Sequence, residues 1–125
     1  MSGRVVHFEI PYDTEGRARD FYTEAFGWNL VDLPDAGYTL VASGPTTDLG
    51  PSESGYINGG LLPRDADGAG SPVIVVDVPD IDEALVKVEK LGGSTVSGKR
   101  PVGTFGFAAY FKDPEGNLMG LWEAA

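Results

Sequence analysis

Two side chains able to do acid–base or metal-binding chemistry, His7 and Glu9, stand two positions apart near the start of the chain. They belong to a predicted strand over residues 4–10. Because the side chains of a strand point to its two faces in turn, His7 and Glu9 fall on one face and the apolar residues at positions 6, 8 and 10 fall on the other. An imidazole titrates near neutrality and ligates metals, and a carboxylate adds a second oxygen ligand or a base. His7 is the only histidine of the chain, so this chemistry is predicted on one strand face.

A faint internal repeat places that strand in a larger pattern. A shift of 66 residues, from position 7 to position 73, lays His7 over Val73 and Gly27 over Gly93. Each copy reads as a strand, a helix and a glycine at which the helix ends. Such repetition constrains the architecture, and the point at which the copies differ is where asymmetric chemistry is expected. That point is His7.

Composition limits the class of protein. The chain has 125 residues, a formal net charge of −10 and no cysteine, which fits one compact domain and excludes thiolate chemistry and disulfides. Basic residues are too few and too scattered for a nucleic-acid partner, and no apolar run approaches the roughly 20 residues that cross a bilayer. Without a signal-peptide core at the start, a cytoplasmic protein is predicted. The acidity either keeps the surface soluble or attracts a cationic ligand.

The first helix is predicted after the first strand, from an apolar stripe at helical spacing. Thr14 or Asp13 caps its start and Gly27 ends it. The stripe is made of Ala18, Phe21, Tyr22, Ala25 and Phe26. Because these positions recur at three- and four-residue intervals, the helix is expected to cover the apolar face of the first strand with them.

The second helix has stronger local signals. Asp80 followed three residues later by Glu83 is typical of a capping box, and the glycines at 92 and 93 stop the helix. Its stripe is made of Ile81, Ala84, Leu85, Val88 and Leu91. The strand before it, residues 73–78, is predicted to place Ile74, Val76 and Val78 under the helix.

Three further strands are predicted after each helix, separated by glycine- and proline-rich turns. They cover residues 28–33, 38–43, 56–62, 94–97, 106–111 and 117–123. A loop over 44–55 interrupts the first set, and a linker over 64–71 joins the halves. The fold class is therefore α+β: a single domain, 1–125, of two tandem βαβββ modules (about 1–63 and 72–125) whose mixed sheet curves into a cup, with helices on its outer face.

Four short motifs stand at or next to the predicted elements: HFEIP at 7–11, FYTEAFGW at 21–28, NGGL at 58–61 and DPEGN at 113–117. Together with the paired modules, they resemble the vicinal oxygen chelate superfamily, which includes glyoxalase I, bleomycin-resistance proteins, fosfomycin-resistance enzymes and extradiol dioxygenases. The resemblance covers nearly the whole chain. It implies the paired-module fold and a homodimer.

The resemblance also implies where a divalent metal would be held, by His and Glu side chains at the module starts and near the module ends. Carried over, these positions are His7, Val73, Gly60 and Gly120. Neither valine nor glycine offers a lone pair, whereas a catalytic metal site normally has about three protein ligands. His7 and Glu9 remain the only metal candidates, so no complete metal site and no cofactor are predicted.

Residues of the cup face are predicted to bind a small molecule. The absent side chains at Gly60 and Gly120 would enlarge the cup, and aromatic and apolar residues would line it. The predicted ligand-binding residues are His7, Glu9, Tyr56, Asn58, Leu118 and Trp122. The alternative for His7 is purely structural, a hydrogen bond to Glu9 or to the backbone. The aromatic residues could equally be core or dimer packing.

Two functions remain open from the sequence. The first is a bleomycin-resistance-like module that binds a cationic or aromatic small molecule without a metal. The second is a metal-dependent lyase, isomerase or dioxygenase that uses His7 and Glu9 with ligands from elsewhere. No catalytic residue is assigned, and the −10 charge favours a cationic ligand in the first case.

Overall fold

A computed structural model of the chain describes residues 3–33, 37–64 and 70–125. These residues form a mixed α+β fold of ten strands and two helices. The strands are β1 (Val5–Tyr12), β2 (Asn29–Leu33), β3 (Tyr38–Ala42), β4 (Thr46–Thr47), β5 (Gly50–Pro51), β6 (Asn58–Pro63), β7 (Val73–Asp77), β8 (Ser94–Val102), β9 (Gly106–Lys112) and β10 (Leu118–Ala124). The helices are α1 (Glu15–Phe26) and α2 (Ile81–Lys90).

The chain divides into two compact units. One is His7–Pro72, and the other combines Val73–Ala125 with the residues up to Val6. In the His7–Pro72 unit the strand order is β2-β3-β6-β1, and in the other it is β7-β10-β9-β8. In each unit the strand before the helix pairs in parallel with the last strand of its module, and the remaining pairs are antiparallel. The predicted βαβββ order is thereby confirmed in both modules.

Several element boundaries differ from those predicted. β6 begins at Asn58 rather than at position 56, so Tyr56 lies in the preceding loop. That loop contains a two-stranded hairpin, β4–β5, which composition did not indicate. β8 continues to Val102 through two register irregularities, because its polar and glycine residues bulge rather than end the pairing. The turn at 34–37 and the linker at 64–71 were predicted on segments that lie mostly outside the described residues.

α2 is packed as the sequence predicts except at the end of its stripe, where Leu91 follows the last helical residue and is 72% exposed. The Glu83 N–H donates to the Asp80 carboxylate at 3.1 Å, which satisfies one unpaired amide of the first turn. Ile81 and Leu85 are buried with Ala109 and Leu121, and Val76 and Val78 pack against this cluster. The expectation for Ile74 was wrong: its side chain is 47% exposed, since it lies near the start of β7, outside this cluster.

α1 differs from the prediction, although its bounds are correct. Gly27 ends it in the left-handed conformation at φ 69°, with its N–H donating to Thr23 O. None of its residues is buried, so the apolar stripe does not cover the sheet as expected. Tyr22 instead stacks on Trp28 at a ring-centroid distance of 5.0 Å. Arg19 pairs with Asp32 of β2, whose carboxylate also accepts from the buried Thr39 hydroxyl at 3.1 Å.

Neither helix, within the part of the chain that the structure describes, is long and apolar enough to cross a membrane.

Candidate functional site

A chain of hydrogen bonds joins the two residues singled out in the sequence, and a third residue connects them. His7 Nε2 lies 2.7 Å from the Tyr38 hydroxyl, and that hydroxyl donates to Glu9 Oε2 at 2.9 Å. His7 and Glu9 occupy alternate positions of β1, and Tyr38 begins β3. We call this the His7–Tyr38–Glu9 chain. The sequence singled out the two residues at its ends but not the tyrosine between them.

The tautomer of the imidazole follows from the charge of Glu9. An ionised carboxylate only accepts, so the single phenol proton of Tyr38 goes to Glu9 and the proton in the first bond comes from His7 Nε2. With Glu9 ionised, His7 is the Nε2–H tautomer, and its Nδ1 carries a lone pair. Each group thus donates to the next one: the imidazole donates to the phenol oxygen, and the phenol donates to the carboxylate.

Burial keeps His7 neutral. Desolvation lowers the pKa of its imidazole from the ordinary value of 6.5 to about 4. A neutral ring at pH 7 accepts a hydrogen bond at Nδ1 and can take up a proton only in acid. Glu9, the acceptor at the other end of the chain, is itself only 6% exposed. A buried carboxylate is retained in a fold only when it is well hydrogen-bonded.

The depressed pKa of His7 predicts how stability changes with pH. The imidazole of His7 takes up a proton near pH 6.5 in the unfolded chain but only near pH 4 in the folded one. The contribution of neutral His7 to the free energy of unfolding is therefore complete above pH 6.5 and is lost as pH falls towards 4. The loss is on the order of 3 kcal/mol. Urea unfolding of the wild type and His7→Gln between pH 4 and 8 measures it. The wild type should lose more stability than the variant, and parallel curves would contradict the assignment.

Tyr38 occupies the space that Gly60 provides, which corrects the expectation of an enlarged cup. A Cβ at Gly60 would overlap the hydroxyl end of the Tyr38 ring. Gly60 pairs with Glu9 on β1 and with Leu40 on β3, and Tyr38 reaches across from the diagonal position. The missing side chain at Gly60 therefore makes room for a neighbouring aromatic ring and not for a ligand. The sequence contained one signal of this contact: a glycine in one predicted strand and a tyrosine at the start of another, since a glycine in a strand often lies under a neighbouring aromatic ring.

Exposed apolar side chains adjoin the His7–Tyr38–Glu9 chain. Leu40 follows Tyr38 by two residues, so it shares its strand face, and it is 40% exposed. Its partner on β2, Val31, is 50% exposed. This face of the His7–Pro72 unit thus combines one buried polar chain with an accessible apolar surface.

An open cavity of about 490 Å³ lies elsewhere in the same unit, between α1 and β2. It is lined by Arg19, Asp20, Thr23, Glu24, Trp28, Asn29 and Leu30. None of these belongs to the His7–Tyr38–Glu9 chain. Arg19 is already paired with Asp32, so the cavity is a polar surface groove and a poorer candidate than the strand face.

Comparison with known proteins identifies the family. The model of the Glyoxalase/Bleomycin resistance protein/Dioxygenase superfamily matches residues 4–121, which is almost the full chain. The chain belongs to this superfamily. The resemblance drawn from the four motifs is thereby confirmed, and so is the mixed α+β fold expected from it.

Individual proteins similar to this chain share between 15% and 30% of their aligned residues with it. "Putative glyoxylase CFP32" of Mycobacterium bovis is 30% identical over 114 residues, covering 88% of this chain and 41% of that protein. The chain thus spans about two fifths of the length of this curated relative. Methylmalonyl-CoA epimerase from Mycobacterium tuberculosis has a similar fold, with a TM-score of 0.62, 19% identity, and coverage of 96% of this chain and 87% of that one. A superfamily member from Vibrio splendidus 12B01 has a TM-score of 0.63 and 15% identity, over 98% and 99% of the two chains.

The residues at the superfamily's metal positions do not fit a divalent ion. Val73 is an apolar side chain with 1% exposure, and Gly60 is covered by Tyr38. Gly120 is closed as well, since a Cβ there would lie 3.0 Å from Val75, so it does not enlarge a cup. Within residues 3–33, 37–64 and 70–125, no group of three or more His, Cys, Asp or Glu is arranged to hold a metal. His7 Nε2 and Glu9 Oε2 are both committed to Tyr38.

The two other predicted ligand-binding residues of the His7–Pro72 unit hold the 43–57 loop. Asn58, the partner of His7 in the β1–β6 pair, accepts from Ser43 N at 3.1 Å and donates to Thr46 Oγ1 at 3.0 Å. Tyr56 donates from its hydroxyl to Pro45 O at 2.6 Å. Both side chains fix the loop that borders the strand face, and contact with a ligand stays a prediction for each.

Leu118 and Trp122 belong to the other unit, on alternate positions of β10 and hence on one face. Both are half-buried, and the Trp122 ring lies over Gly106, where a Cβ would come within 2.7 Å of it. Glu123 follows Trp122 on the opposite face of β10, and its carboxylate accepts from the Ile81 N–H at 2.8 Å and from Lys99 at 3.0 Å, so it serves the start of α2.

Proposed function

We propose that this superfamily member binds a small molecule, without a metal ion, on the strand face that carries the His7–Tyr38–Glu9 chain. The single observation that supports this is the hydrogen-bonded chain itself. It commits the only imidazole and its neighbouring carboxylate to a tyrosine, and it leaves the His7 Nδ1 lone pair as a fixed acceptor. An oriented acceptor beside exposed apolar side chains is the usual composition of a small-molecule site.

The preferred ligand is a cationic molecule with an apolar or aromatic body. Glu9, at the end of the hydrogen-bonded chain, is buried and only 6% exposed, which places one negative charge close to this face. The whole protein carries a formal net charge of −10. Both charges favour a positively charged ligand. The Glu9 carboxylate attracts it at short range, where little water screens the interaction, and the net charge steers it towards the protein from a distance. Leu40 and Val31 supply apolar contact surface beside the charge.

Sequestration of a ligand requires only this face, whereas metal-dependent chemistry requires a set of donors that the described residues do not bring together. The alternative function, a glyoxalase-like lyase, isomerase or dioxygenase, would need His7 Nε2 and Glu9 to exchange Tyr38 for an ion. It would also need further ligands in place of Gly60. The names of the similar proteins indicate both enzymes and resistance proteins, so they do not separate the two functions.

Metal analysis separates them. Protein purified without chelator, and then reloaded with nickel, zinc, manganese or iron, is expected to hold no stoichiometric ion. One tightly bound ion per chain in the wild type, absent from His7→Ala, would overturn the metal-free proposal and favour the enzyme.

Ligand binding is tested by calorimetry with a panel of aromatic amines and uncharged analogues of the same size. We expect the amines to bind more tightly, and Glu9→Gln to weaken them at least tenfold while it leaves the neutral analogues unchanged. Glu53→Gln removes the same charge from an exposed loop position and is the matched control. If both variants weaken binding equally, the effect is one of net charge and the proposed site is wrong.

A further inference from the structure

Two large aromatic side chains of α1 are exposed to solvent. Phe21 is 57% exposed and Phe26 is 63% exposed, although both belong to the stripe that the sequence predicts to cover the first strand. Their rings contact each other and Tyr22 at centroid distances of 5.1 to 6.3 Å, so the exposed aromatic surface is continuous. A contiguous exposed apolar surface is typical of a site at which another molecule docks.

The open cavity of about 490 Å³ between α1 and β2 adjoins this aromatic surface. Trp28 lines the cavity, stacks on Tyr22 at a centroid distance of 5.0 Å and contacts the Phe26 ring at 5.6 Å. The same indole therefore borders both the cavity and the aromatic surface. A partner that covers the exposed rings can place a neighbouring side chain in the cavity.

Two carboxylates give the cavity a negative charge. Asp20 and Glu24 both line it, four positions apart on α1, and no ion pair between described side chains includes either of them. Arg19 also lines the cavity, but it is already paired with Asp32 and Glu15. Like charges four residues apart on a helix repel each other, so a positive group placed between them would stabilise both.

We propose that this surface docks a segment of another protein in which a lysine or arginine stands beside apolar residues. The basic side chain enters the cavity, where Asp20 and Glu24 balance its charge and the Trp28 indole packs on its methylene groups. The apolar residues of the segment cover Phe21 and Phe26, which removes exposed apolar surface from water.

The charge of this surface selects the class of partner. Nucleic acids and membranes with anionic lipids are negatively charged, so they are repelled by a carboxylate-lined cavity on a protein with a formal net charge of −10. A second copy carries the same net charge and meets the same repulsion. A small cation fills only the cavity and leaves Phe21 and Phe26 exposed. A basic and apolar segment complements both parts of the surface.

The first test measures the dissociation constant of a synthetic amphipathic peptide of leucine and lysine, by fluorescence anisotropy of the labelled peptide. We expect the wild type to bind it and Phe21→Ser to weaken the complex about tenfold, because aromatic residues carry much of the binding energy of an interface. Val86→Ser is the matched control, since Val86 is 54% exposed on α2, in the other unit. Circular dichroism shows that each variant is folded.

The second test separates the carboxylates of the cavity from the net charge. The double variant Asp20→Asn, Glu24→Gln is expected to weaken the same complex about tenfold. Its matched control is the double variant Asp48→Asn, Glu53→Gln, which removes two negative charges from exposed positions of the 43–57 loop and should leave the complex unchanged. A peptide with glutamine in place of lysine should bind the wild type about tenfold more weakly than the lysine peptide does.

Three results would each overturn the proposal. The first is a wild type that does not bind the leucine–lysine peptide. The second is an equal loss of binding in the two double variants, or in Phe21→Ser and Val86→Ser, because the peptide would then respond to net charge or to general apolar surface. The third is a wild-type dimer in sedimentation that Phe21→Ser dissociates, because a second copy would then occupy the surface.

Discussion

Gly59→Ala is expected to lower the free energy of unfolding by about 3 kcal/mol. Gly59 is buried in β6, opposite Phe8 in the parallel β1–β6 pair, and an added Cβ would overlap the Phe8 carbonyl oxygen and its ring. A paired backbone oxygen cannot turn away as a side chain can, so the two strands must separate. Urea unfolding followed by circular dichroism measures the change.

Gly16→Ala is the matched control for this substitution. Gly16 lies in the first turn of α1, and nothing stands within 4 Å of an added Cβ there. The same methyl group should stabilise the protein by up to about 1 kcal/mol, because alanine favours the helix over the unfolded chain. If Gly59→Ala were as stable as Gly16→Ala, the close pairing of β1 with β6 would be wrong.

Tyr38→Phe is expected to cost about 2 kcal/mol of stability and to release the His7 tautomer. The substitution keeps the ring that fills the space over Gly60 but removes the hydroxyl that accepts from His7 and donates to Glu9. The lost bonds are charge-assisted at the Glu9 end and lie in a mostly buried place, so their removal costs more than that of a surface hydrogen bond. Urea unfolding gives the energy.

Nitrogen-15 chemical shifts of the single histidine give the tautomer. In the wild type the proton is expected on Nε2, and in Tyr38→Phe it should redistribute between the two nitrogens. Tyr56→Phe also removes one tyrosine hydroxyl bond, to Pro45 O, and serves as the control because it leaves His7 untouched. A wild-type proton on Nδ1 would contradict the direction assigned to the hydrogen-bonded chain.

The ends of the His7–Tyr38–Glu9 chain show how far local pattern reaches. Alternation along β1 was enough to place His7 and Glu9 on one face, because the direction of a strand side chain depends only on its own strand. The neighbours across that face depend on register with β3 and β6, which distant parts of the chain determine. Sequence reasoning therefore predicted an empty space at Gly60, where the paired strands place the Tyr38 ring.

The sequence by itself determined the repeat, the two helices with their caps at Asp80 and Gly27 and the α+β class, since these follow from the spacing of residue types along the chain, and its four short motifs carried the resemblance to the superfamily. Only the tertiary structure decided which glycine positions are occupied by neighbouring side chains and which hydrogen bond His7 makes. It also decided that no residue of α1 is buried, whereas α2 buries Ile81 and Leu85 in a core. Both helices carry an apolar stripe, but in α1 it is less sharply separated from the polar residues than in α2. The facing strands add to this difference, because strand pairing presents a polar Asp32–Thr39 surface to α1 and an apolar cluster to α2.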